Sequence, residues 1–173
     1  GSTGVPKGVP VGRAQVSAYL AHMLGTYPFV PDDRFSQFFA LSFDLSVHDL
    51  FVCWGAGACL CVPLEEGPLR AAAFTREQRI TVWFSVPSLL AVMQRMGSLR
   101  PAAFPAVRLA FFCGEALRIS TALAWREAAP NARLVNLYGP TETTIAITAY
   151  EVDPQHPPEE VFVPIGRPFP GHE

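Results

Sequence analysis

Between Asn136 and Thr144 the sequence Asn-Leu-Tyr-Gly-Pro-Thr-Glu-Thr-Thr sets an aromatic ring, a forced turn, hydroxyls and a carboxylate in one short stretch. Gly139 tolerates unusual backbone angles and Pro140 fixes φ and lacks an N–H, so the chain must turn after Tyr138. Glu142 is a hard oxygen donor of the kind that holds Mg2+ together with substrate phosphates. The chain opens on a second unusual stretch, Gly1-Ser2-Thr3-Gly4-Val5-Pro6-Lys7-Gly8. Its glycines allow close backbone approach, and its N–H groups, two hydroxyls and ammonium suit phosphate oxygens. It departs from the Walker A pattern, because Lys7 lies between Pro6 and Gly8 rather than before Ser or Thr. Read singly, the first stretch is equally a polar strand-to-turn junction and the second a flexible or tag-derived terminus.

The elements that must position these residues follow from the apolar pattern. Val16, Tyr19, Leu20, Met23 and Leu24 recur at helical spacing over Arg13 to Leu24, with Gly25 as a stop. Phe35 to Phe43 reads as a buried strand that delivers Asp44, and Asp44 to Trp54 as a helix broken by Gly55 and Gly57. Short strands are expected at 58–63, 80–84, 109–113 and 133–138, with helices at 69–78, 88–96 and 120–128 between them. A further strand is expected at 145–152, then a proline-rich loop, then a structured turn region at 164–171. Strands alternating with helices at this rhythm imply an α/β fold with a mostly parallel sheet covered on both faces. Asp44, Ser85, Gly114 and Tyr138 to Glu142 all fall at strand exits, the edge where open α/β sheets bind ligands.

Composition sets the outer limits. The 173 residues make one domain's worth of chain, 50% hydrophobic and only 16% charged, so either the core is large or apolar surface belongs against other segments. A net charge of −2 without a Lys/Arg cluster argues against nucleic acid or an anionic membrane as partner. No apolar run approaches the ~20 residues of a membrane span and no signal pattern opens the chain, which points to the cytoplasm. Cys53, Cys59, Cys61 and Cys113 lie in apolar runs without Cys-x-x-Cys spacing and read as reduced core residues.

Taken in order, Gly1 to Gly8, Phe43-Asp44-Leu45-Ser46, Gly114-Glu115-Ala116, Asn136 to Glu142 and Ile165-Gly166-Arg167-Pro168 resemble the signatures of the acyl-adenylate-forming enzymes. Within these the chain is most similar to the amino-acid adenylation domains of non-ribosomal peptide synthetases and their stand-alone relatives, and the resemblance covers its whole length. It implies an ATP- and Mg2+-dependent ligase. A substrate carboxylate attacks the α-phosphorus of ATP, pyrophosphate leaves, and the acyl group passes to the phosphopantetheine thiol of a carrier protein. The resemblance gives Lys7, Thr141 and Glu142 catalytic roles, with Glu142 on the metal. Ser2, Thr3 and Gly4 would belong to the phosphate loop, and Gly114, Glu115, Ala116, Asn136, Tyr138 and Gly139 to the nucleotide site. Asp44 would pair with a substrate α-amino group, which fits its position, since a carboxylate at an apolar rim is costly unless an ammonium offsets it; the alternative is an ordinary helix N-cap. Leu45, His48, Ser85, Phe111, Cys113, Leu137, Ile145 and Ala146 would line the rest of a pocket for a small or medium neutral amino acid.

Against the family pattern, residues 1–173 correspond to an internal fragment of one adenylation domain, without the ribose-binding Asp stretch and the C-terminal subdomain with its lysine. The resemblance therefore implies at most trace activity from the chain alone. Two other functions are carried forward: adenylation of a fatty or aryl acid destined for coenzyme A, and a non-catalytic nucleotide-binding or interaction module.

Overall fold

The computed structural model of the chain describes residues 8–64, 67–153, 155–156 and 158–171. Among them helices and strands alternate as α1 (Arg13–Thr26), β1 (Arg34–Ser36), α2 (Leu45–Gly55), β2 (Cys59–Cys61), α3 (Pro68–Glu77), β3 (Val82–Ser85), α4 (Pro87–Arg95), β4 (Leu109–Phe112), α5 (Ile119–Ala128), β5 (Arg133–Tyr138), β6 (Thr148–Glu151) and β7 (Arg167–Pro168). The strands form one sheet in the order β2-β1-β3-β4-β5-β6-β7. The first five run parallel, whereas β6 and β7 are antiparallel additions at one edge. The α/β architecture with a mostly parallel sheet is thus the observed one.

Strand alternation divides the core in two. Val82, Phe84, Leu109, Phe111, Cys113, Val135 and Leu137 face α1 and α2, where Tyr19, Met23, Leu45 and Val52 cover them. Trp83, Ala110, Phe112 and Leu134 face the opposite way, toward Leu90 and Met93 of α4 and Trp125 of α5. The central strands are buried on both sides, which is why they read as continuous apolar runs.

Three expectations need correction. The apolar run Phe35 to Phe43 is not one long strand: β1 ends at Ser36 and an irregular link carries the chain to Asp44. The apolar residues are still needed, since Phe38 packs on Trp83 in one core and Phe39 on Phe84 in the other, while Leu41 and Phe43 are exposed. The strand expected at 145–152 is confined to Thr148–Glu151. Of the four cysteines, Cys59 is exposed rather than core.

At the end of the sheet remote from the strand exits, Asp33 is fully buried and gathers Arg108 Nε at 2.8 Å, a second donor from the same guanidinium, Thr81 Oγ1 at 2.6 Å and the Val30 amide at 2.9 Å. Burial alone would raise its pKa, but these bonds, Arg108 first, hold it below the usual carboxylate range. Asp33→Asn should cost about 3 kcal/mol in urea unfolding at pH 7, because it leaves the half-buried guanidinium without its charge partner. A depressed folded pKa contributes stability above the unfolded value near ~3.9 and loses it in acid, so the variant should also lose less stability than the parent between about pH 4 and 2.

Candidate functional site

The stretch after β5 is built by a close approach and a strained turn. A Cβ on Gly139 would lie 2.6 Å from Ala146 Cα, so no other residue fits there. Thr141–Thr143 make a single 3-10 turn, after which Thr144 (φ 66°) and Ile145 (φ 70°) are both left-handed. That conformation is rare for a β-branched residue, and here the surroundings impose it. The Thr143 amide and hydroxyl both donate to Pro140 O, at 2.9 and 2.8 Å, and the Ile147 amide returns to Tyr138 O at 2.9 Å. These bonds use up the Thr143 hydroxyl, while the Thr141 hydroxyl and Glu142 carboxylate have no side-chain partner among the described residues.

Cavities open on either side of this stretch. One, of about 540 Å3, is lined by Gly114, Glu115 and Ala116 after β4, by Asn136 to Pro140, and by Phe162, Val163 and Ile165. All six residues expected to bind nucleotide outside the N-terminal loop therefore meet in one place. Their side chains do different work. Tyr138 presents a half-exposed ring, whereas the Glu115 carboxylate turns away to accept the Ser88 amide (2.8 Å) and hydroxyl (3.0 Å) at the start of α4. Asn136 donates through Nδ2 to Pro164 O at 2.9 Å and more weakly to Val163 O at 3.4 Å. This fixes the amide orientation and leaves Oδ1 buried without a partner.

The second cavity, of about 820 Å3, brings Asp44 together with Thr141, Glu142 and Ile145, and Gly8 and Val9 reach the same wall. The end of the N-terminal loop thus arrives beside Glu142; Ser2, Thr3, Gly4 and Lys7 lie outside the described residues. Asp44 stands at the N-cap of α2, but it has helical angles (φ −61°, ψ −26°) and its side chain makes no cap hydrogen bond. The simple N-cap reading is therefore not what its carboxylate does. Among the described residues no cluster of three or more His, Cys, Asp or Glu could hold a metal. A lone carboxylate completed by phosphate oxygens, as Glu142 offers, still fits Mg2+.

Leu45, next to Asp44, packs with Phe111, Cys113, Leu137, Ile145 and Ala146 in a single core, with His48 against the Phe84 and Phe111 rings. Tyr19 OH lies 2.7 Å from His48 Nδ1, and burial pulls the imidazole pKa down to about 3, so the ring is neutral. Burial likewise pushes the Cys113 thiol up to about 12, which makes it a wall residue rather than a nucleophile. Ser85 is not with this group. It pairs in register with Phe112 on the opposite face, where its hydroxyl accepts Trp83 Nε1 at 2.9 Å. Phe84, one residue earlier, takes the place expected for Ser85. Phe162, Val163 and Ile165 also went unrecognised as cavity walls. Their signal was the apolar Val161-Phe162-Val163 after the proline-rich loop, which pairs with 117–119 through the Ile119 and Val163 amides.

The chain is 36% identical over its full length to an L-proline--[L-prolyl-carrier protein] ligase of Pseudomonas fluorescens, covering 35% of it. It is 32% identical, again over its full length and 35% of the relative, to a D-alanine--D-alanyl carrier protein ligase of Bacillus licheniformis. The crystal structure of the Vibrio cholerae adenylation domain AlmE, in complex with glycyl-adenosine-5'-phosphate, superposes with a TM-score of 0.91 at 40% identity, over 98% of this chain and 32% of that one. The chain thus spans about a third of the length of these relatives. The AMP-binding enzyme model matches residues 1–173, and with the nucleotide-sized cavity at the strand exits it establishes that the chain belongs to the AMP-binding enzyme family.

Proposed function

We propose that the protein carrying this chain activates an amino acid as its aminoacyl adenylate, releasing pyrophosphate, and passes the acyl group to a carrier-protein thiol. The observation that carries this reading is the cavity shared by Asp44, Thr141 and Glu142, adjoining the cavity of Tyr138 and Asn136. Two carboxylates face one space there, and each needs a cation: an ammonium for Asp44, a metal for Glu142. Both curated relatives described above are amino-acid:carrier-protein ligases. In this reading the adenine lies between the Tyr138 ring and the 114–116 backbone. Thr141 contacts the α-phosphate, and the loop of Ser2, Thr3, Gly4 and Lys7 holds the β- and γ-phosphates. Bound at Glu142 and the phosphates, Mg2+ would offset charge on the triphosphate. The chain's own task is to align the substrate carboxylate with the α-phosphorus, since positioning and charge neutralisation dominate such a displacement.

The test is amino-acid-dependent exchange of labelled pyrophosphate into ATP by the full-length protein, with a panel of amino acids. Exchange with none of them, alongside exchange with aryl or fatty acids, would favour the coenzyme A ligase reading. The 173-residue chain alone should give no more than a trace of exchange.

Asn136 makes a sharper prediction about the base. The residue lines the nucleotide cavity and its Oδ1 is a buried acceptor without a protein partner, so a base packed against it is favoured by bringing a donor, such as the amino group of adenine, over the carbonyl that guanine has at the same place. Asn136→Leu should weaken ATP binding about tenfold and reduce the preference for ATP over GTP in equilibrium binding. Asn136→Asp keeps the acceptor but loses both bonds to the 163–164 carbonyls, and should retain more of the base preference than Asn136→Leu.

A further inference from the structure

The residues that would surround a substrate side chain leave it almost no room. Asp44 and Ile145 line the open cavity, but one helical turn on from Asp44, at His48, α2 enters a closed core. His48 and Phe111 are 0% exposed and Phe84 1%, so not even a water-sized space touches these rings. The three rings meet one another, with His48 and Phe84 centroids 4.5 Å apart and His48 and Phe111 5.5 Å apart.

Each ring is also backed from behind. Tyr19 on α1 holds His48 through the 2.7 Å hydrogen bond to Nδ1. Tyr27 meets Phe111 edge-on, with centroids 4.8 Å apart and planes at 87°. Phe39 meets Phe84 at 4.9 Å. Rings wedged by other rings in a close-packed core do not yield by a rotamer change, so the floor is a fixed stop. His48 adds to it as a neutral imidazole that cannot leave the core by becoming charged near neutral pH.

We infer that Phe84, Phe111 and His48 form a rigid floor, one helical turn on from Asp44 at His48, that restricts the substrate to the smallest amino acids, glycine and alanine. This rests on the amino-acid-activating reading above and narrows it. An ammonium held by Asp44 leaves a hydrogen or a methyl group to point at the floor, whereas a branched or aromatic side chain would overlap the Phe84 and Phe111 rings.

The experiment is the pyrophosphate-exchange panel on the full-length protein, read as kcat/KM for each amino acid. Glycine or alanine should exceed valine, leucine and phenylalanine by about 100-fold or more. Phe84→Ala and His48→Ala, made separately, should each raise the leucine-to-glycine ratio by about tenfold or more. A ratio is unaffected by the fraction of enzyme that folds, so general damage cannot imitate this result. If neither variant folds, the wild-type panel still decides. Wild-type enzyme that works best on a branched or aromatic amino acid overturns the closed floor while leaving the adenylation reading in place. Exchange with no amino acid at all overturns the adenylation reading, and the inference with it.

Discussion

Replacing Asp44 by Asn in the full-length protein should lower kcat/KM for the amino acid by on the order of a thousandfold and leave ATP affinity within a few-fold, because removing one partner of a desolvated ion pair costs about 3–5 kcal/mol. The side chain is unusually free to act. It stands where helix α2 begins yet accepts no hydrogen bond from the first turn, since the Ser46 and Val47 amides donate to the Phe43 and Asp44 carbonyls. Asn keeps the volume and removes only the charge, so the loss should appear as a raised KM for amino acid rather than as unfolding. Glu142 lines the same cavity and supplies the contrast. Glu142→Gln should depress exchange with every acid and raise the Mg2+ concentration needed for half-maximal rate, because the lost ligand belongs to the metal and not to the amine. Exchange unchanged in Asp44→Asn would mean that no ammonium is bound there, and would turn the assignment toward an acid without an amine.

Much of this site could be read from residue types alone, for identifiable reasons. Tyr138 to Glu142 was legible because a Gly-Pro turn after an apolar run fixes where a strand must end, and strand ends are where such sheets bind ligands. Asp44 was legible as the acid at the start of a helix, although the expected strand before it proved to be an irregular link. Ser85 failed for the opposite reason. In Val82-Trp83-Phe84-Ser85 every residue is buried, so no apolar-polar alternation marks the phase, and an error of one residue moves a side chain to the other face of the sheet. The hydroxyl of Ser85 looked like a site residue but serves to satisfy the Trp83 indole.

Other features depend on distant parts of the chain meeting. Glu115 lines the cavity as expected, but its carboxylate is drawn to two donors on Ser88, a contact between two strand exits that sequence spacing does not reveal. Phe162 reaches the cavity because 161–163 pairs with 117–119, and its backing by Arg118, 5.1 Å from the ring centroid, has no local signature. The antiparallel edge follows from Gly166. At φ 83°, a Cβ there would lie 1.8 Å from Ala149 O, so the close pairing of β7 with β6 needs a glycine whose role appears only in three dimensions.

The second large effect concerns stability. Asp49 is as completely buried as His48, its neighbour in sequence, and neither of its carboxyl oxygens makes a well-formed hydrogen bond among the described residues, the Phe38 backbone being a nearby donor. Burial raises its pKa well above the carboxylate range, only partly offset by the Phe38 backbone, whereas burial lowers His48 to about 3. The depressed imidazole contributes stability that is present above its unfolded pKa near ~6.5 and is lost in acid. The raised carboxyl does the reverse: stability is highest below ~3.9 and declines as pH rises toward its folded pKa. Between about pH 4 and 6.5 the histidine takes up one proton on unfolding, and the carboxyl releases one wherever the pH lies below its raised folded pKa, so over that range the two slopes cancel and the pair makes stability nearly independent of pH. Asp49→Asn should expose the histidine alone, giving a fall toward acid of about 1.4 kcal/mol per pH unit, roughly 3 kcal/mol across that window. His48→Gln should give the opposite slope, and the double variant a flat profile again. Urea unfolding followed by the fluorescence of buried Trp83 and Trp125 measures all four chains. An Asp49→Asn profile parallel to that of the unsubstituted chain would show that Asp49 is ionised in the fold, and that a cation must then reach it inside the core.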